Sequence, residues 1–259
     1  MSTLDFSVTA GTATTFGGSV LAVCVVAAGS GSRLGAGKPK AAVEVAGRTV
    51  LEWALVGIRE SGVAARIVVT VPPGDSELSE VCSRYGALAV PGGATRAESV
   101  TGALAAIADA APLPGAPEQL PTGVLVHDAA RCFTPASVYH RVAAALEAGE
   151  KAVIPVLPVV DTIKTVDAAG YVSGTPARAQ LRAVQTPQGF DVATLVQAHR
   201  DVASLPQEVA EAITDDAMLA ETLGLPVATV EGAAEAFKIT TPLDMTLAVA
   251  LFEQGRLGS

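Results

Sequence analysis

Residues 27–40 read Ala27-Ala28-Gly29-Ser30-Gly31-Ser32-Arg33-Leu34-Gly35-Ala36-Gly37-Lys38-Pro39-Lys40 and follow directly on an apolar run. Glycines let backbone N–H groups approach phosphate oxygens closely, and Arg33 and Lys40 add mobile positive charge at the same place, so a nucleoside triphosphate is the natural guest. Two familiar phosphate loops are excluded by residue type. Counted from Gly29, the dinucleotide fingerprint G-x-G-x-x-G requires glycine where Leu34 stands. A Walker A loop ending at Gly37-Lys38 requires glycine at the place of Ser32 and Ser or Thr at that of Pro39. A glycine loop alone also fits a plain structural turn; the two cations set this one apart.

Such a loop binds ligands at the carboxyl end of a parallel strand, and the surrounding pattern supplies one. Short runs rich in Val, Ala and Leu alternate with longer amphipathic stretches, the pattern of βαβ units covered on both faces. Strands are expected at 21–27, 66–71, 87–90, 123–127, 152–156 and 226–231, and helices near 49–61, 75–85, 97–108, 135–148, 192–203, 216–222 and 242–252. The fold class is α/β, a doubly wound and mostly parallel sheet. Residues 110–122 contain prolines at 112, 114, 117 and 121 and read as a surface loop. β-type alternation around 163–166 and at 171–172, with Ala168-Ala169-Gly170 between, reads as a β-arm projecting from the sheet over about 158–180. A single domain is expected over 19–256, after a disordered tail at 1–18.

Composition narrows the partners. The 259 residues carry 17 Lys and Arg against 26 Asp and Glu, a formal charge of −9, so no broad basic face is available for a nucleic-acid backbone. A few cations gathered in one cleft still suit a small anion, since charges act over about 8 Å at physiological salt. Cys24, Cys82 and Cys132 stand far apart without a CxxC pair, as expected of reduced, buried thiols in a cytoplasmic protein. Residues 1–18 lack the basic and apolar regions of a signal peptide, and the run 20–28 is shorter than the ~20 residues that cross a bilayer, so no membrane association is expected.

Six further blocks follow the loop: Gly92-Gly93-Ala94-Thr95-Arg96-Ala97-Glu98-Ser99-Val100, Val126-His127-Asp128-Ala129-Ala130-Arg131, Asp161-Thr162-Ile163-Lys164, Gln185-Thr186-Pro187-Gln188-Gly189-Phe190, Thr214-Asp215-Asp216, and Lys238-Ile239-Thr240-Thr241-Pro242-Leu243-Asp244. Gly92, Gly93, Arg96 and Ser99 lie where a strand turns into a helix, which offers backbone amides and a hydroxyl to a base edge, or simply starts a helix. Asp128 falls at the same carboxyl edge as the glycine loop. His127 reads as a packed structural histidine, with no second His or Cys at metal spacing. Arg131 suits a salt bridge or a phosphate, and Thr214-Asp215-Asp216 suits a helix cap or a substrate contact equally.

Taken together and in this order, the seven blocks resemble the 2-C-methyl-D-erythritol 4-phosphate cytidylyltransferases, from about Val20 onward. The resemblance implies a Rossmann-like nucleotidyltransferase that joins CTP to 2-C-methyl-D-erythritol 4-phosphate, releasing pyrophosphate, in the non-mevalonate isoprenoid pathway. It implies Arg33, Lys40, Arg178 and Lys238 as catalytic cations. It implies CTP contacts from Ala27, Ala28, Gly29, Ser30, Gly31, Gly92, Gly93, Arg96, Ser99, Asp128 and Ala129, and acceptor contacts from Asp128, Arg131, Thr162, Arg178, Thr186, Thr214 and Lys238. Mg²⁺ or another divalent cation would be held mainly by CTP, with Asp128 beside it. The arm would cross to a second subunit, making a homodimer with a shared site. Ala94, Ala236 and Asp216 depart from the family's usual residues.

The nearest rival on the same fold is a cytidylyltransferase for another polyol phosphate, such as ribitol 5-phosphate, distinguished only around Thr162, Arg178 and Lys238. A dinucleotide oxidoreductase is disfavoured by Leu34, and serine hydrolase chemistry by the lack of a G-x-S-x-G elbow. A catalytically idle nucleotide-binding module would have no use for Arg33, Lys40, Arg178 and Lys238 together.

Overall fold

A computed structural model describes residues 15–16, 19–35, 37–109, 120–202, 205 and 207–257. Its strands are β1 (Thr15–Phe16), β2 (Ser19–Val26), β3 (Glu44–Val45), β4 (Arg48–Thr49), β5 (Arg66–Val71), β6 (Leu88–Pro91), β7 (Gly123–Asp128), β8 (Ala152–Pro158), β9 (Thr165–Val166), β10 (Val172–Gly174), β11 (Arg182–Val184), β12 (Gln188–Asp191) and β13 (Ala228–Glu231). The helices are α1 (Val50–Ser61), α2 (Ser76–Arg84), α3 (Arg96–Asp109), α4 (Ala136–Glu147), α5 (Val192–Asp201), α6 (Gln207–Ala212), α7 (Asp216–Thr222) and α8 (Pro242–Glu253).

The apolar runs pair side by side. β2 lies between β5 and β7, parallel to both, β6 continues the sheet beyond β5, and β13 runs parallel to β8. Along β2, Leu21, Val23 and Val25 enter one apolar layer with α1, α2 and α4, while Ala22 and Cys24 enter the opposite layer with α3, α5 and α7. Both faces are therefore dry, which is why the strand reads as a continuous apolar run. Helix starts follow local chemistry: Thr49 and Glu52 form a capping box on α1, Thr241 and Asp244 another on α8, and Asp75, Asp191 and Asp215 cap α2, α5 and α7.

All six expected strands form, and the sheet is mostly parallel as expected. The sequence reading missed the antiparallel stretch inside it. β12 is inserted between β7 and β8, antiparallel to both, and β11 runs antiparallel along the far end of β8. Neither alternates, and Pro187 and Gly189 argue against an inner strand; the pairing is imposed by strands on either side. The short helix α6 was missed as well.

Within the segment expected to form the arm, β9 and β10 pair as a two-stranded antiparallel hairpin separate from the main sheet. Of the expected tail, Thr15–Phe16 pair with β2 and so join the sheet edge, while 1–14 and 17–18 lie outside the described residues. The expected proline loop lies outside them from 110 to 119. Cys24, Cys82 and Cys132 are free and buried, and burial raises the thiols of Cys24 and Cys82 to about 12 and about 11.

Candidate active site

The parallel strands β2, β5, β6 and β7 all end on one edge, and a cleft opens there between the glycine loop, the start of α3, the end of β7 and Lys238. It is lined by Val26, Ala27, Ala28, Gly29, Lys40, Ala41, Gly93, Ala94, Thr95, Arg96, Ser99, Asp128, Ala129, Ala130 and Lys238.

Each wall has a local cause. Gly31 is left-handed (φ 69°), and a Cβ there would come within 2.8 Å of the Lys40 Cβ, so the loop can fold back onto Lys40 only with glycine. Leu34 and Ala41 are buried in apolar clusters, which fixes Arg33 and Lys40 on two anchored 3₁₀ turns. At the end of β6, a Cβ on Gly92 would stand 2.3 Å from the Ala28 Cβ, so only glycine brings this turn against the loop. Glu98, unremarked in the sequence, accepts from Ala94 N–H at 2.7 Å and shapes the same turn.

Asp128 is the centre of charge. Its Oδ2 lies 2.7 Å from Lys238 Nζ and its Oδ1 3.8 Å from Arg96 Nε. Burial would raise this carboxyl, but Lys238, then Arg96 and Arg131, outweigh it and hold Asp128 below the usual carboxylate range. Burial, then the neighbouring Lys238, lowers Lys40 from its ordinary value, against the pull of Asp128. Among the described residues no group of three or more His, Cys, Asp or Glu is placed to hold a metal ion, and Asp128 already faces a lysine. A metal bound here would need its oxygens from the ligand it arrives with.

The motif 185–190 braces the cleft from behind. Gln185 donates to Ala233 O at 2.8 Å and accepts from Ala233 N–H at 3.0 Å, tying down the segment that leads to Lys238. Thr186 accepts the Asp128 N–H at 3.0 Å, and its hydroxyl also faces His127 Nδ1 at 3.1 Å. Gln188 donates to Asp215 at 2.8 Å and accepts from Ala217 N–H, holding the start of α7. Only Thr186 was singled out from sequence, as an acceptor contact. Its hydroxyl is buried and positions Asp128. His127 is the packed histidine expected, fully buried and lowered to about 4 by burial.

Other expected site residues fall in four groups. Ala27, Ala28, Gly29, Gly93, Arg96, Ser99, Asp128, Ala129, Lys40 and Lys238 line the cleft, while Ser30, Gly31, Arg33 and Gly92 belong to the same two loops without lining it. The Ser99 hydroxyl is engaged within its own turn, with Gly93 N–H at 3.1 Å and Thr95 O at 2.9 Å. Arg131 donates to the carbonyls of Ala236 and Val184, so it braces the Lys238 segment; the methyl of Ala236 is fully buried beneath it. Thr162, Arg178 and Thr214 are exposed and do not line the cleft of their own chain; Arg178 donates to Val160 O at 2.6 Å on the arm.

The sequence model of the 2-C-methyl-D-erythritol 4-phosphate cytidylyltransferases (IspD) matches residues 21–254. The chain belongs to this family. It is 48% identical over 231 residues to the enzyme of that name from Rhodococcus opacus, covering 89% of this chain and 94% of the relative. Among solved structures it resembles the cytidylyltransferase of the same name from Thermus thermophilus (39% identity, TM-score 0.71, 90% of this chain and 99% of that one). It also resembles the 4-diphosphocytidyl-2C-methyl-D-erythritol synthase from Anaerococcus prevotii (28% identity, TM-score 0.75, 91% and 99%). The matched span contains every block of the cytidylyltransferase pattern, from the glycine loop to Lys238 and the start of α8.

Proposed function

We propose that this cytidylyltransferase joins CTP to 2-C-methyl-D-erythritol 4-phosphate, forming 4-diphosphocytidyl-2-C-methyl-D-erythritol and pyrophosphate. The observation that carries the reading is the cleft itself: Lys40, Arg96 and Lys238 converge around Asp128 at the carboxyl edge of the sheet, in a chain of this family. An acceptor phosphate oxygen attacks the α-phosphorus of CTP, that P–O bond forms as the bond to the β-phosphate oxygen breaks, and pyrophosphate leaves with the electron pair. Arg33 and Lys40 stabilise charge on the five-coordinate centre, the turn at Gly92 and Gly93 takes the cytosine, and Lys238 orients the acceptor beside Asp128. A divalent cation would arrive bound to CTP, and Asp128 is the lining carboxylate that would stand beside it. Three buried free thiols and a nucleotide substrate fit the cytoplasm.

Thr162 and Arg178 act in a second subunit's cleft, because they are remote from their own and ride on an arm that exposes Val160, Val166, Tyr171 and Val172. An apolar hairpin of this kind is stable against a partner copy. Mixing Arg33→Ala with Arg178→Ala subunits should therefore restore activity that neither homodimer has. An inactive mixture, in dimers shown to exchange, places both residues in one chain's site.

The function is tested by pyrophosphate release with Mg²⁺, each of CTP, UTP, ATP and GTP, and either methylerythritol phosphate or ribitol 5-phosphate. Turnover confined to CTP with methylerythritol phosphate is expected. Turnover with ribitol 5-phosphate instead would keep the mechanism and change the acceptor.

A further inference from the structure

Arg96 is the cleft's most buried cation, and behind it runs a chain of contacts through Asp216, to which the motifs assign no catalytic role, and His199, which lies outside them. Its Nη1 meets Asp216 Oδ2 at 2.5 Å, and Asp216 Oδ1 lies 2.9 Å from His199 Nε2. His199 Nδ1 lies 3.1 Å from Thr101 Oγ1, whose hydroxyl proton is donated to Ala97 O at 3.0 Å. The side chains of Asp216 and His199 are only 2% and 3% exposed. Burial would raise the Asp216 carboxyl, but the bond to His199 and the charge of Arg96 hold it below its usual range. The Nη2 of Arg96 is buried with no hydrogen-bond partner among the described residues.

We propose that Asp216 and His199 are positioning residues: together they clamp Nη1 of Arg96 and so fix its guanidinium on the cleft wall for the bound nucleotide. This rests on the nucleotide reading of the cleft. The clamp joins three helices, α3 through Arg96 and Thr101, α5 through His199 and α7 through Asp216, and Gln188 fixes the start of α7. A flexible arginine would lose rotamer freedom on binding; one already clamped does not, so the gain falls on nucleotide affinity rather than on the chemical step.

The test is a double-mutant cycle on the full-length enzyme, with CTP affinity by calorimetry beside kcat and KM. Asp216→Asn should weaken CTP binding and raise its KM by about tenfold, the scale of one charge-assisted hydrogen bond, with kcat changed less than about threefold. Arg96→Ala should do the same, and the double variant should be no worse than Arg96→Ala alone. Additive losses, or a folded Asp216→Asn with unchanged CTP affinity, would overturn the clamp. If Asp216→Asn does not fold, His199→Gln carries the same cycle, since its amide can still donate to Asp216 and should bind CTP better than His199→Ala. Failure of the wild-type enzyme to bind CTP would instead refute the nucleotide reading.

Discussion

Replacing Lys40 with alanine lowers kcat by about 10² or more while KM for CTP moves only a few-fold. The reason lies in where the charge sits. Lys40 lies on a turn whose neighbour Ala41 is buried in the main core, and Gly31 packs against its backbone and Cβ, so its side chain starts from an anchored point on the cleft wall. Negative charge grows at the phosphorus only in the transition state, and a fixed cation in a partly dry cleft favours that state over the ground state. Arg33, on the preceding turn beside buried Leu34, should show the same split. Steady-state kinetics with varied CTP decide it: equal loss of affinity with unchanged kcat would make these residues binding groups and move catalysis elsewhere.

Asp128→Asn should lower kcat/KM by about 10² as well, but through a different failure. The carboxylate neutralises Lys238 at 2.7 Å and faces Arg96 at 3.8 Å; an amide leaves Lys238 without its counter-ion and Arg96 with Asp216 alone, and the cleft loses its arrangement. The same variant has a signature in stability. Asp128 titrates below its usual range when folded, so the folded state binds fewer protons than the unfolded chain. Its contribution is fully present above the unfolded value of about 4 and is lost as pH falls through the lower folded value. Urea unfolding should therefore show wild type more stable than Asp128→Asn at neutral pH, with the gap closing below about pH 4. A gap constant from pH 7 to 3 would mean that the Lys238 pair contributes no stability.

Much of the chemistry was legible because it is local. A glycine loop with Arg33 and Lys40, the two glycines at the start of α3 and the carboxylate ending β7 each depend on a few consecutive residues, and the alternation of apolar runs with helices places them on one edge. The bracing residues were not legible. Gln185 and Gln188 read as ordinary polar residues until β12 inserts between β7 and β8, where each amide meets backbone from a distant segment. Thr186 was legible only as a substrate contact; its support of the Asp128 N–H, from a buried place beside His127, depends on the fold.

The sequence by itself determined the parallel strands of the sheet and the residue types brought to their carboxyl edge, since periodicity and turn chemistry act over a few residues. Tertiary structure alone decided which of those residues share a cleft and which lie outside it. It also decided that Arg96 is held from behind by Asp216 and His199, 120 and 103 positions away along the chain. Contacts of that separation leave no periodic trace, because they are selected by packing between helices rather than by the backbone geometry of any one of them.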